Sequence, residues 1–124
     1  MNIERINHFV ITVKDVDETC KFYKELFDVM VEEVSPRKKI LHIGQQMLTL
    51  HQRRRGFDFE EKPVPGPIEL GFTVKCTVEW VKAKMEFQNI PMEGMIERRN
   101  AAGKVISIYF RDPDQNLIEV SVNG

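Results

Sequence analysis

Five side chains in this sequence are of types that ligate metals or move protons: His8, His42, His51, Glu69 and Glu119. Glu119 is the most telling. It lies in the alternating run Leu117-Ile118-Glu119-Val120-Ser121-Val122, on the face opposite Ile118, Val120 and Val122, directly behind the turn chemistry of Asp112-Pro113-Asp114. In that turn, proline fixes one φ angle and aspartate side chains bond nearby amides. A carboxylate in the middle of an apolar strand is costly unless something binds it. Glu119 therefore reads as a metal ligand in a ligand-binding cavity. Imidazoles and carboxylates on adjacent strands suit first-row divalent ions. Three or four such ligands with one position left open make a catalytic rather than a structural site. His8 and Glu119 are the leading ligands, Glu69 a weaker one, and His42 reads as a hydrogen-bonded bystander.

The elements that must position these residues follow from periodicity. Residues 3–13 read as a strand, ended by Lys14-Asp15. Asp15 is placed to cap a helix over 16–27, with Glu18 at capping-box spacing. The apolar stripe of that helix is Val16, Cys20, Tyr23, Leu26 and Phe27. Strands are expected at 29–34, 39–43 and 47–51, with Ser35-Pro36 and Gly44-Gln45 between them. From Gln52 to Pro67 the pattern stops, and Pro63, Pro65, Gly66 and Pro67 mark a linker. A strand at 68–74, a helix at 77–88 and strands at 91–97, 104–110 and 116–122 complete the chain.

Strand, helix and three strands thus occur twice, and the residues support a repeat. At an offset of 61, Thr12-Val13-Lys14 matches Thr73-Val74-Lys75, and Asp28-Val29 matches Asn89-Ile90. Lys39-Ile40 matches Lys104-Val105 at 65, and Met47-Leu48 matches Leu117-Ile118 at 70. This equates His8 with Glu69, Thr49 with Glu119, His51 with Ser121 and His42 with Ser107. Strand parity then sorts the side chains. One face carries Phe9, Ile11, Val13, Leu41, Leu48, Leu50 and their counterparts, and packs on the helices. The other carries all three histidines with Val10, Thr12, Thr49, Glu69, Gly71, Thr73, Ser107, Tyr109, Glu119 and Ser121. A solvated outer face is the plain alternative. Against it, these positions include no Lys or Arg, and small polar groups, one Tyr, histidines and two carboxylates suit a concave ligand site.

With 124 residues, 42% hydrophobic and 30% charged, the chain is one globular domain. Its modules are placed at about 3–52 and 67–122, with a linker over 53–66. A net charge of −1 argues against nucleic acid or acidic membranes as partners. Cys20 and Cys76 form neither a disulfide framework nor a thiolate site, and Cys20 reads as a small core residue. With no leader pattern and no apolar run of spanning length, a cytoplasmic protein is expected.

The strand–helix–three-strand repeat, Ile6-Asn7-His8 and Phe110-Arg111-Asp112-Pro113-Asp114-Gln115-Asn116-Leu117-Ile118-Glu119 together resemble the vicinal oxygen chelate superfamily. That group contains glyoxalases, fosfomycin- and bleomycin-resistance proteins and extradiol dioxygenases. The closest resemblance is to its small extradiol-dioxygenase-related, virulence-protein-like members, through Leu50-His51, Pro63-Val64-Pro65-Gly66 and Glu69. The resemblance implies an α+β fold of two tandem βαβββ modules. Their sheets form a curved, half-barrel mixed sheet around a cavity, with helices outside. It implies ligand positions at His8, Thr49, Glu69 and Glu119. Thr49 stands where glyoxalase I has a carboxylate or amide, and Glu69 where dioxygenases and fosfomycin-resistance enzymes have histidine. A two-histidine, one-carboxylate set would need His51, about 6–7 Å beyond Thr49 along its strand. Tyr109 matches a substrate-contacting tyrosine of fosfomycin-resistance enzymes. Their basic C-terminal tail is missing after Gly124, so that activity is not expected. A homodimer is implied as well.

Two functional readings follow. The first is a metal-dependent lyase, isomerase or dioxygenase that chelates vicinal oxygens of a small substrate on Fe(II), Mn, Zn or Ni. Its metal ligands are His8, Glu69 and Glu119; its catalytic candidates are Glu119 and His51; its pocket is Thr12, Thr49, His51, Ser107 and Tyr109. The second is a metal-free protein of the bleomycin-resistance type that sequesters a small molecule. Neither the substrate nor the reaction is set by these residues.

Overall fold

The structure is a computed structural model and describes residues 1–53, 68–101 and 103–123, without the side chain of Asn100. The first half runs β1 (His8–Val13), α1 (Val16–Phe27), β2 (Met30–Ser35), β3 (Lys38–Ile43) and β4 (Gln46–Gln52). The second repeats the order with β5 (Glu69–Val74), α2 (Val78–Phe87), β6 (Gly94–Asn100), β7 (Gly103–Arg111) and β8 (Leu117–Asn123). Two compact units, Met1–Gly66 and Pro67–Gly124, each hold one open four-stranded sheet. The strand orders are β1-β4-β3-β2 and β5-β8-β7-β6. First and last strands of each module pair in parallel, and the other pairs are antiparallel. This is the α+β architecture of tandem βαβββ modules. The expected linker beyond Arg53 lies outside the described residues.

Local chemistry accounts for the elements. Asp15 Oδ1 accepts from the amides of Asp17 and Glu18 and so caps α1. Thr77 Oγ1 accepts from the Trp80 amide at the start of α2. Both helices end in a left-handed residue, Asp28 (φ 54°) and Asn89 (φ 57°), at equivalent positions of the repeat. In the first unit α1 lies on β2, β3 and β4. Val16, Thr19, Cys20 and Tyr23 of the helix are buried, as are Val13, Leu41, Leu48 and Leu50 of the sheet. Each large apolar side chain removed from water contributes roughly 1.5–3 kcal/mol. Lys39 shares this face with Leu50. Its stem lies on the core edge while its ammonium reaches Asp17 at 2.7 Å and Glu33 at 3.6 Å. In the second unit Ile108, Phe110, Ile118, Val120 and Val122 form the buried sheet face, and α2 buries Val81 and Met85.

Register tests the repeat. His8 pairs with Met47 and Glu69 with Leu117, so the offsets of 61 and 70 are those of the structure. The middle offset is corrected. Leu41 pairs with Leu48, whereas Phe110 pairs with Ile118, so β3 maps onto β7 at 69 rather than 65. His42 therefore corresponds to Arg111, and Lys38 to Ser107. The error is an even number of residues, so the two faces keep their membership. The extra residues lengthen the β6–β7 hairpin instead of the β7–β8 turn. Strand limits also move, most in two strands. β1 starts at His8 rather than Ile3, and β6 spans Gly94–Asn100 rather than 91–97. Pairing with the long β7 sets the latter: Arg99 pairs with Lys104 and Asn100 with Gly103. Pro91, which has no amide hydrogen, stays outside the ladder.

Candidate functional site

The Asp112–Asn116 turn sets the position of Glu119. Asp112, 2% exposed, accepts from the amides of Asp114 and Asn116 on Oδ1 and from Asn116 Nδ2 on Oδ2, all at 2.9 Å. Asn116 Oδ1 in turn accepts from the Ile68 amide at 3.0 Å, and the Leu117 amide donates to the Ile68 carbonyl at 2.8 Å. One side-chain network thus locks the start of β8 to the residue before β5. Glu119 follows two residues into β8, paired with Gly71 of β5 and Tyr109 of β7.

The Glu119 side chain is nearly four-fifths buried, with 21% exposed, and its two oxygens differ. Oε2 accepts from Ser107 Oγ (2.7 Å), Ser121 Oγ (3.2 Å) and Arg98 Nη2 (3.2 Å). Oε1 has no hydrogen-bond partner among the described residues. It faces Gly71, where a Cβ would stand 3.9 Å away. The expected pocket residues Ser107 and Tyr109 are therefore brought to Glu119, Ser107 directly and Tyr109 through Arg98 at 3.0 Å. Glu69 lies on the same face of β5, two residue pairs along from Gly71–Glu119 and beside Leu117, and is exposed.

Periodicity ends β6 at 97 and so leaves out Arg98. The β6–β7 register places it on the same face as Ser107 and Tyr109. Arg111 and Lys38 join the corresponding face of their sheets, paired with Leu117 and His51. The expectation of a face without Lys or Arg is thereby overturned. Its cause is the strand limits: all three cations sit at strand ends that periodicity truncated or skipped. The usable signal was Gly94-Ile96-Arg98, which continues the alternation up to the Ala101-Ala102-Gly103 turn. Arg111 is held by Glu93 at 3.0 Å and by the Gln115 carbonyl.

In the first unit the equivalent face of its own sheet carries His8, Val10, Thr12, Thr49 and His51. Thr49 is buried, while His8 and His51 are exposed. His8 Nδ1 lies 3.0 Å from Asn7 Oδ1. With Nδ1–H donating to that oxygen, the Nε2 lone pair is left to a ligand, the arrangement that orients metal-binding imidazoles. His51 has no hydrogen-bond partner among the described residues. His42 bonds Glu32 at 3.0 Å. Within neither unit do three described His, Cys, Asp or Glu side chains converge. Cys20 is in the core, where burial pushes its thiol up and keeps it from acting as a nucleophile at neutral pH.

Comparison with known proteins places this geometry in context. The profile of the Glyoxalase/Bleomycin resistance protein/Dioxygenase superfamily matches residues 5–120. Virulence protein STM3117 of Salmonella typhimurium is 37% identical over 123 residues, covering 98% of this chain and 85% of that protein. Its crystal structure superposes with a TM-score of 0.81 over the whole of both chains. A glyoxalase domain-containing protein of Mycosarcoma maydis, RDO1, is 36% identical over 98% of this chain and 69% of its own length. A variant of the fosfomycin resistance protein FosX of Listeria monocytogenes, complexed with Mn(II) and 1S,2S-dihydroxypropylphosphonic acid, shares the fold. Its TM-score is 0.73 at 22% identity, over 99% of this chain and 93% of that one. With its two βαβββ modules and its match over residues 5–120, the chain belongs to the glyoxalase/bleomycin resistance protein/dioxygenase superfamily.

Proposed function

We propose that this protein is a metal-dependent enzyme that binds a divalent first-row ion through His8, Glu69 and Glu119 and acts on a small substrate with neighbouring oxygens. The observation that carries the reading is the divided carboxylate of Glu119. Three donors fix Oε2, and Oε1 is left unpartnered beside a residue with no side chain. A buried-side carboxylate held in this way is oriented for a ligand at the free oxygen. The donor set fits the group: one imidazole with Nε2 available and two carboxylates suit Mn, Fe(II), Zn or Ni better than Mg. The Mn(II) complex of FosX, a protein of the same fold, supports the assignment.

What a divalent ion supplies at this site is Lewis acidity toward substrate oxygens. Everything else falls to the chain. Ser107, Ser121 and Arg98 hold Glu119 in one rotamer. Thr12, Thr49 and Tyr109 contact the substrate. His51, exposed and unpartnered, takes or returns the substrate proton, a role that requires hydrogen-bond reach to it. The reaction class within lyase, isomerase and dioxygenase chemistry follows from the ion and the substrate.

The Arg98–Glu119 ion pair favours a second reading. An arginine compensates the carboxylate without any metal, as in a protein that only sequesters a small molecule. Metal analysis of the purified chain separates the two. The enzyme reading expects near-stoichiometric metal in the native protein, lost in folded His8→Ala and Glu119→Ala variants. No metal after incubation with Mn, Fe(II), Zn and Ni would leave the sequestering reading.

A further inference from the structure

Arg98 uses one nitrogen for everything. Nη2 lies 3.0 Å from Tyr109 Oη, 3.2 Å from Glu119 Oε2 and 3.3 Å from Ser107 Oγ. Two hydrogens on that nitrogen face three acceptors. Nη1 and Nε have no acceptor among the described residues, and 55% of the side chain is exposed. The Tyr109 hydroxyl accepts from Arg98, so its own hydrogen is unspent. The guanidinium edge and this hydroxyl are therefore free donors, one side chain away from Glu119 Oε1. The position also belongs to the second module alone. Arg98 lies in the lengthened part of the β6–β7 hairpin, where the β2–β3 hairpin of the first module has already turned at Pro36.

We propose that Arg98 and Tyr109 form an anion-binding corner, and that the small molecule taken by this face carries a carboxylate-type anionic group. Charge balance gives the second argument, which rests on the metal reading above. Glu69 and Glu119 together neutralise a divalent ion. Arg111 is already paired with Glu93, and once Glu119 serves the ion, Arg98 has no other carboxylate partner among the described residues. A cation beside Arg98 on the same carboxylate is tolerated when an anion lies between them. A 2-hydroxy or 2-oxo carboxylate satisfies both requirements, with its carboxylate on the arginine fork and its neighbouring oxygen toward Glu119. Arginine suits this role because its planar fork matches two carboxylate oxygens.

Glycolate, the smallest 2-hydroxy carboxylate, is the probe, used on the full chain by calorimetric or NMR titration. In Mn(II)-loaded protein, Arg98→Gln is expected to weaken glycolate binding about tenfold or more, the loss typical of a charge-assisted contact, with glycolate titrated at saturating Mn(II) so that any change in Mn(II) affinity is read apart from it. A metal-free arm stands apart from the metal reading. Glu119→Gln releases Arg98 from its carboxylate, so this variant should bind glycolate several-fold more tightly than Glu119→Gln/Arg98→Gln. Far-ultraviolet circular dichroism checks that all variants are folded. Mn(II) titration of the native protein reads the metal site separately. No Mn(II) binding together with an Arg98-dependent metal-free arm overturns the metal site and keeps the anion corner. Mn(II) binding with glycolate affinities indifferent to Arg98 in both arms overturns the anion corner alone.

Discussion

Asp112 does for the backbone what Glu119 does for the face. Its buried carboxylate satisfies two amides and one side-chain amide, and Asn116 passes the connection on to Ile68. Removing it leaves buried donors without partners, each costing about 1–3 kcal/mol. Asp112→Ala is therefore expected to destabilise the protein by about 3 kcal/mol or more in urea denaturation. A cost under about 1 kcal/mol would show that water replaces the network. Three residues on, Gln115 sits at φ 69° with its carbonyl bonded to Arg111. A left-handed conformation is strained for any residue with a Cβ. Gln115→Gly should therefore stabilise the fold by about 0.5–1 kcal/mol, read from the same midpoint, while an unchanged or lower midpoint would mean the backbone there is not strained. The turn was legible in the sequence because Asp-Pro-Asp chemistry is local. The partners of Glu119 were only half legible. Ser107, Tyr109 and Ser121 followed from strand parity, but Arg98 depended on where one strand ends, which periodicity marks poorly.

At the scale of elements, the two modules share a plan and differ in one hairpin. Their first and last strands pair in the register the internal repeat implies, the first read from the identical Thr12-Val13-Lys14 and Thr73-Val74-Lys75 and the last from the similar Met47-Leu48 and Leu117-Ile118. The middle strands misled because Lys39-Ile40 and Lys104-Val105 are alike by chance. The hydrogen-bonded ladder, not residue likeness, sets the correspondence of Leu41 with Phe110. The helix starts differ in strength. Asp15 caps α1 with two amide hydrogen bonds, and its charge lies favourably at the positive end of the helix. Thr77 caps α2 with one. Asp15→Ala should cost about 1 kcal/mol, and more than Thr77→Ala. Equal losses in parallel denaturation curves would contradict this difference.

For the whole molecule, the proposed ligand set draws on both compact units: His8 comes from Met1–Gly66, and Glu69 and Glu119 from Pro67–Gly124. An ion that binds only the folded chain stabilises it by mass action, by about 2.7 kcal/mol at a hundredfold excess over its dissociation constant. Mn(II) is thus expected to raise the melting temperature, and EDTA should reverse the shift. His8→Ala and Glu119→Ala should each abolish the shift, although they alter different units. If Glu119→Ala abolishes the shift and His8→Ala does not, the ion belongs to the second unit, and Glu69 with Glu119 hold it without the histidine. A melting temperature indifferent to Mn(II) and EDTA would leave Arg98 as the permanent partner of Glu119, and the protein would be a binder of small anions.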